Sequence, residues 1–123
     1  GQVPEGVYRV ESLNPNSRFH LSLRLDYPND FDRRRARADG REALGSDIMI
    51  HGTASSIGCL AIGNEAAEDL FVLAAWVGLD KVRVVISAAD FRESGAAEPP
   101  LGVAWGVELY VLLRTELSNY PRA

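Results

Sequence analysis

The chain has 123 residues, 46% hydrophobic and 24% charged, a balance that suits one packed domain spanning 1–123 rather than a disordered chain. A net charge of −4 disfavours a phosphate-tracking nucleic-acid binder, and no run of 18 apolar residues is present to span a membrane. One cysteine, Cys59, excludes an internal disulfide.

Pro4-Glu5-Gly6 reads as a turn, and Val7 to Glu11 then alternates apolar and polar residues as a strand does. Asn14-Pro15-Asn16-Ser17 predicts a second turn. From Phe19 to Leu25 alternation returns, with Phe19, Leu21, Leu23 and Leu25 on one face. Tyr27-Pro28-Asn29-Asp30 breaks it, and a polar, Arg-rich stretch to Gly45 follows, in which alanines allow short helical turns. Ile48-Met49-Ile50 predicts a short buried strand between Gly45-Ser46-Asp47 and Gly52.

Asn64 is a suitable N-cap for a helix with Glu65, Glu68 and Asp69 in its first turns, where the dipole favours acids. Ala67, Leu70, Phe71, Ala74 and Val77 keep helical spacing, and Gly78 is the expected stop. Val82 to Ile86 predicts another strand, and Ser94 to Gly102 a loop. Leu109, Leu112, Leu113 and Leu117 form the apolar stripe of a final helix that ends before Pro121. The expected class is therefore α+β, mostly β with two helices.

Of the 13 basic residues, 12 are Arg, and five of these fall at Arg33, Arg34, Arg35, Arg37 and Arg41. Such a cluster is a solvated face or a patch for carboxylates, which Arg binds through two parallel hydrogen bonds. The start of the chain has no charged segment followed by an apolar stretch, so no secretory leader is legible there.

His51-Gly52-Thr53-Ala54-Ser55-Ser56-Ile57-Gly58-Cys59 joins the one cysteine to one of two histidines through small residues. Read from residue types alone, Cys59 is a packed thiol, a metal ligand without cysteine partners, or a nucleophile. The imidazole of His51, at a strand end, can take a proton from a thiol, and the N–H groups of Gly58 and Cys59 can receive an oxyanion. That arrangement suits acyl transfer through a thioester. A zinc site is disfavoured because no second Cys and no closely spaced His pair exist. No cofactor and no metal are expected.

The same stretch resembles the L,D-transpeptidase catalytic domain family (YkuD-like), whose signature is an upstream His-Gly followed by Ser/Thr-His-Gly-Cys. Here the corresponding residues are His51-Gly52 and Ser56-Ile57-Gly58-Cys59. The eight-residue interval and Ile57 in place of His are features of the YafK-like murein branch. The resemblance extends through Pro4-Glu5-Gly6-Val7-Tyr8, Asn14-Pro15, Phe19-His20-Leu21-Ser22-Leu23, Tyr27-Pro28-Asn29 with Asp32-Arg33, and Asp47 to Gly52. About residues 3 to 90 take part.

The resemblance implies a β-sandwich or barrel with the cysteine at the mouth of a groove. It implies Cys59 as nucleophile, His51 as general base, the Gly52 carbonyl as the group orienting the imidazole, and an acyl donor at meso-diaminopimelate in peptidoglycan stem peptides. Ser56, His20, Tyr27, Asn29 and Arg33 become candidate substrate contacts, although an ordered turn accounts equally well for Tyr27 and Asn29. Transpeptidation is the first expectation. A hydrolase or amidase releasing a group attached to diaminopimelate is the second, and a non-catalytic peptidoglycan-binding module the third. Family domains carry further strands before the Pro4 segment, so an N-terminally shortened domain is expected, with a sheet edge open to a second copy of the chain. The implied location is periplasmic or otherwise extracytoplasmic.

Overall fold

Tyr8 and Val10 turn inward while Arg9 between them stays exposed, the period-two pattern that builds β1 (Gly6–Ser17). The computed structural model describes residues 3–45, 47–54, 59–93 and 104–120. β1 pairs antiparallel with β2 (His20–Leu25), and Val10 lies opposite Leu25. The reversal between them falls at Arg18 and Phe19, not at Asn14-Pro15-Asn16-Ser17 as the turn residues predict. Those residues stay within β1 and distort it instead. The register shifts between Asn14 and Ser17, and the Asn14 side chain accepts from the Asn16 N–H at 2.9 Å. A turn-forming sequence has here become a strand irregularity, because pairing with β2 continues past it.

α1 (Asp30–Ala38) makes a third helix where the sequence suggested only short helical turns. Its start is specified locally. The Asn29 side chain accepts from the Asp32 N–H, and the Asp32 side chain accepts from the Asn29 N–H, each at 3.0 Å. This reciprocal cap satisfies two donors that a helix otherwise leaves open. Arg35 and Arg37 sit in the last turn, where the helix dipole favours cations, and Arg33, Arg34 and Arg37 face solvent. The tyrosine before the helix is joined to Pro28 by a cis peptide bond.

β2 pairs antiparallel with β3 (Met49–His51), which pairs in parallel with β4 (Leu60–Ala61). α2 (Asn64–Val77) follows and packs on β2 and β3. Ala67 and Ala74 are fully buried, and Gly78 ends the helix at φ +98°, as expected of a residue without Cβ. Val77, expected on the buried stripe, is exposed, as are Val72, Leu73 and Trp76, the last at 86%. A 3-10 turn over Leu79–Lys81 takes Val82 out of the predicted strand, leaving β5 (Arg83–Ile86). Among the described residues, the mixed five-stranded sheet has the order β4-β3-β2-β1-β5, and with three helices the class is α+β, as expected from the sequence.

The chain divides into two compact units, Tyr8–Val84 with Gly1–Val3, and Val85–Ala123 with Pro4–Val7. In the first, Tyr8, Val10, Leu23, Leu25, Ala36, Ile48 and Ile50 form the core. Each fully buried leucine there contributes about 1.5–3 kcal/mol over an exposed one. In the second, α3 (Ala104–Leu117) buries Leu109 and Leu113 on the predicted stripe, and Phe91 lies against Tyr110 with ring centroids 4.9 Å apart. Arg114 stands over the Phe91 ring at 5.2 Å, and the Glu5 carboxylate accepts from the Ala88 N–H at 2.8 Å. Among the described residues, no helix is long and apolar enough to cross a membrane.

Candidate active site

β3 ends at His51, whose side chain is 1% exposed. Its Nδ1–H donates to the Gly52 carbonyl at 2.5 Å. A carbonyl can only accept, so Nδ1 carries a proton, and the neutral tautomer that this bond selects has Nε2 as its lone-pair acceptor. The Phe19 ring stacks on the imidazole, with centroids 4.5 Å apart and planes inclined by 25°. Phe19 thus belongs to the reversal between β1 and β2 and faces His51, which strict alternation with Leu21, Leu23 and Leu25 did not suggest.

Gly52 is required by close approach. A Cβ at this position would stand 2.7 Å from the Asn64 side-chain oxygen, 2.7 Å from the Phe19 carbonyl and 2.9 Å from the His20 Cβ. Two hydrogen bonds fix the backbone on either side: the Gly52 N–H donates to the Leu21 carbonyl at 3.0 Å, and the Thr53 N–H donates to the Asn64 Oδ1 at 2.8 Å. Asn64 therefore does not act as the N-cap. Gly63 occupies that position, the helix begins without a side-chain cap, and the Asn64 amide is spent on the segment after His51.

Cys59 lies just before β4 and is half-buried. Its Sγ–H donates to the Asp47 carbonyl at 3.3 Å. The parallel register pairs Ile50 with Leu60 and His51 with Ala61, so Cys59 stands two positions before the residue opposite His51, on the neighbouring strand segment. Ser56 and Gly58, singled out in the sequence as a substrate contact and an oxyanion donor, lie outside the described residues.

Three non-glycine residues among those described have φ in the left-handed region: His20 at +74°, Asp47 at +58° and Thr53 at +65°. All three border the site. His20 abuts Gly52, the Asp47 carbonyl receives the thiol, and Thr53 follows Gly52. Each costs on the order of 1–3 kcal/mol and persists only where neighbours over-determine the backbone. Such strain concentrates at functional sites, and none of it is readable from residue types.

His20 opens β2, and its Nε2 meets the Glu68 carboxylate of α2 at 2.6 Å. Tyr27, Asn29 and Arg33 gather elsewhere, along a cleft of about 440 Å³ lined also by Glu11, Arg24, Asp26 and Asp30. The Tyr27 hydroxyl donates to the Leu44 carbonyl at 2.7 Å, the Asn29 oxygen caps α1, and Arg33 pairs with Asp30 at 3.3 Å. Burial holds the Tyr27 phenol above its usual range. Arg24 links this cleft to the cysteine side, since its Nη1 pairs at 2.9 Å with the Asp47 carboxylate, whose own residue's carbonyl receives the Cys59 thiol. Among the described residues, no group of three His, Cys, Asp or Glu side chains is arranged to hold a metal ion.

Sequence reasoning singled out His51, Gly52 and Cys59 but missed Phe19, Asp47 and Asn64 as their neighbours, and Glu68 as the partner of His20. An Asn at a helix start satisfies the N-cap pattern, which hid its longer-range bond. For Phe19, only a reversal placed two residues later than the Asn-Pro-Asn signal would have pointed to the site.

No protein-family model matches the chain. Over 70 residues, 55% of the chain, it is 40% identical to the protein named "Putative L,D-transpeptidase YafK" of Escherichia coli K12, and the O157:H7 protein of that name gives the same figures. The match takes in 26% of those relatives, about a quarter of their length. The fold is similar to that of Bdellovibrio bacteriovorus Bd1075, with a TM-score of 0.52 over 97% of this chain and 40% of that one. At 20% identity this second likeness is one of fold. Over these 70 residues, then, the chain is similar in sequence to proteins whose name denotes an L,D-transpeptidase.

Proposed function

We propose that the chain is the catalytic portion of a cysteine acyltransferase of the L,D-transpeptidase family, acting on peptidoglycan stem peptides at meso-diaminopimelate. The observation that carries this reading is the Nδ1–H bond from His51 to the Gly52 carbonyl, which leaves Nε2 as the base nitrogen of a residue whose strand pairs with the segment just after Cys59. The 40% identity over 70 residues supports the family and the substrate class.

In this reading His51 takes the thiol proton and Cys59 attacks the carbonyl carbon of the diaminopimelate residue. The tetrahedral oxyanion collapses to a thioester, the C–N bond to the leaving amine breaks, and the imidazolium returns its proton to that amine. An acceptor amine or water then attacks the thioester, giving a crosslink or a hydrolysed product and restoring the thiol. The Gly52 carbonyl holds the ring orientation and stabilises the imidazolium. A peptidoglycan substrate places the work outside the cytoplasmic membrane.

The test is acylation by a carbapenem, followed by intact mass. Cys59 acquires one adduct, and both Cys59→Ala and His51→Ala lose it while melting like the wild type. A folded wild-type chain whose Cys59 takes no adduct and turns over no diaminopimelate tetrapeptide sinks the proposal. With that tetrapeptide as substrate, a dimeric crosslink identifies transpeptidation, and released amine without a crosslink identifies hydrolysis.

A further inference from the structure

We infer that the β1–β2 reversal is a positioning clamp for the His51 imidazole, with the Phe19 ring bearing on one face of the imidazole and His20, the first residue of β2, latching the reversal to Glu68 of α2. The inference rests on the reading of His51 as a base, and its observations are separate from that reading.

A hydrogen bond from Nδ1 fixes one in-plane direction of an imidazole and leaves tilt about that bond free. Stacking by Phe19 at 4.5 Å and 25° restrains that tilt. Phe19 can do this only if the reversal is itself held, because the two residues between the strands, Arg18 and Phe19, belong to neither. Within the reversal, the Phe19 N–H donates to the Ser17 Oγ at 3.1 Å, a short local bond. The longer-range hold is the His20 Nε2 contact with the Glu68 carboxylate at 2.6 Å, reaching 48 residues along the chain.

The two arms meet at Gly52. The Phe19 carbonyl and the His20 Cβ both occupy the space where a Gly52 side chain would stand. The residue that supplies the accepting carbonyl to His51 is therefore seated directly against the reversal. His20 holds a left-handed backbone at φ +74°, a conformation that a non-glycine residue keeps when its surroundings impose it. Ordinary packing accounts for a half-buried aromatic ring, but not for a half-exposed His20–Glu68 contact that ties this same reversal to a helix. Phe19, His20 and Glu68 are thus positioning residues, acting on the chemistry through His51.

The experiment reads the ring nitrogens of His51 by 15N NMR in the full chain, alongside the rate at which iodoacetamide alkylates Cys59. In the wild type, His51 is a single Nδ1–H tautomer. Phe19→Leu and Glu68→Ala give a mixed tautomer signature and slow alkylation on the order of tenfold, as a displaced base does. Phe19→Tyr, which keeps the stacked ring, and Glu68→Gln, which keeps the accepting oxygen, stay within about twofold of the wild type. Glu68 is surface-exposed, so its variants carry the test if Phe19→Leu fails to fold. Unchanged tautomer and rate in folded Glu68→Ala overturn the latch, and the same result in folded Phe19→Leu overturns the stack. If wild-type Cys59 is unreactive yet the tautomer responds to these substitutions, the clamp stands and the acyltransfer reading falls.

Discussion

The Oδ1 atom of Asn64 accepts a 2.8 Å hydrogen bond from the Thr53 N–H, joining the first residue of α2 to the strained segment that leaves β3. Serine is too short to bridge from the first helical position to another segment, whereas aspartate keeps the oxygen in place. Asn64→Ser should therefore lose about 1 kcal/mol, and Asn64→Asp should stay within about 0.5 kcal/mol of the wild type in urea unfolding. Equal stability of the Ser variant and the wild type would show that the bridge to Thr53 contributes nothing.

Gly52 has no room for a methyl group. Gly52→Ala forces a carbon within 2.7 Å of two oxygens, and overpacking of this kind costs about 1–3 kcal/mol. Differential scanning calorimetry should record a lower melting temperature, and Cys59 alkylation should slow because the displaced carbonyl is the one that holds His51. A variant that melts and reacts like the wild type would contradict the close approach.

Tyr8 donates its hydroxyl hydrogen to Asp32 at 3.0 Å, and Asp32 is 1% exposed. Burial, together with the negative charge of Asp32, holds the Tyr8 phenol far above its ordinary range, so it remains a donor at all working pH. Tyr8→Phe removes a hydrogen bond to a buried charged group and should cost about 1.5–3 kcal/mol in chemical denaturation. A loss below about 0.5 kcal/mol would mean that the bond contributes little net stability.

Burial is also the main cause that lifts the Asp32 carboxyl above the ordinary value of 3.8, and it outweighs the lowering by the Asn29 N–H, the Tyr8 O–H and Arg35. The folded chain then binds this proton more tightly than the unfolded chain. Its stabilising effect is complete below the unfolded value and is lost as pH rises through the folded one. The difference in unfolding free energy between wild type and Asp32→Asn should accordingly shrink as pH rises from about 3.8 towards neutrality. Urea titrations across that range check the sign, and a difference that grows with pH contradicts it.

Local chemistry made much of the fold legible. Alternation over residues 7 to 11 and the apolar run at Ile48 gave β1 and β3 their cores, and the helical spacing of Leu109, Leu112, Leu113 and Leu117 gave α3 its buried side. These signals act within a few residues of chain, so the sequence expresses them directly. The cap of α1 is equally local, yet the concentration of Arg masked it.

By itself the sequence determined the α+β class, the helix stop at Gly78, and His51, Gly52 and Cys59 as the candidate chemical residues. Only the tertiary structure decided how His51 is held: Phe19 on its ring, Asn64 bridged to Thr53, and His20 tied to Glu68. Those contacts join residues 11, 32 and 48 positions apart. Each replaces or adds to a local preference (an N-cap, a strand alternation, a solvated histidine) that the sequence expresses equally well on its own. A long-range contact prevails when the fold brings its partners into hydrogen-bond or ring contact, and that proximity is a property of the packed sheet and helix, not of either segment alone.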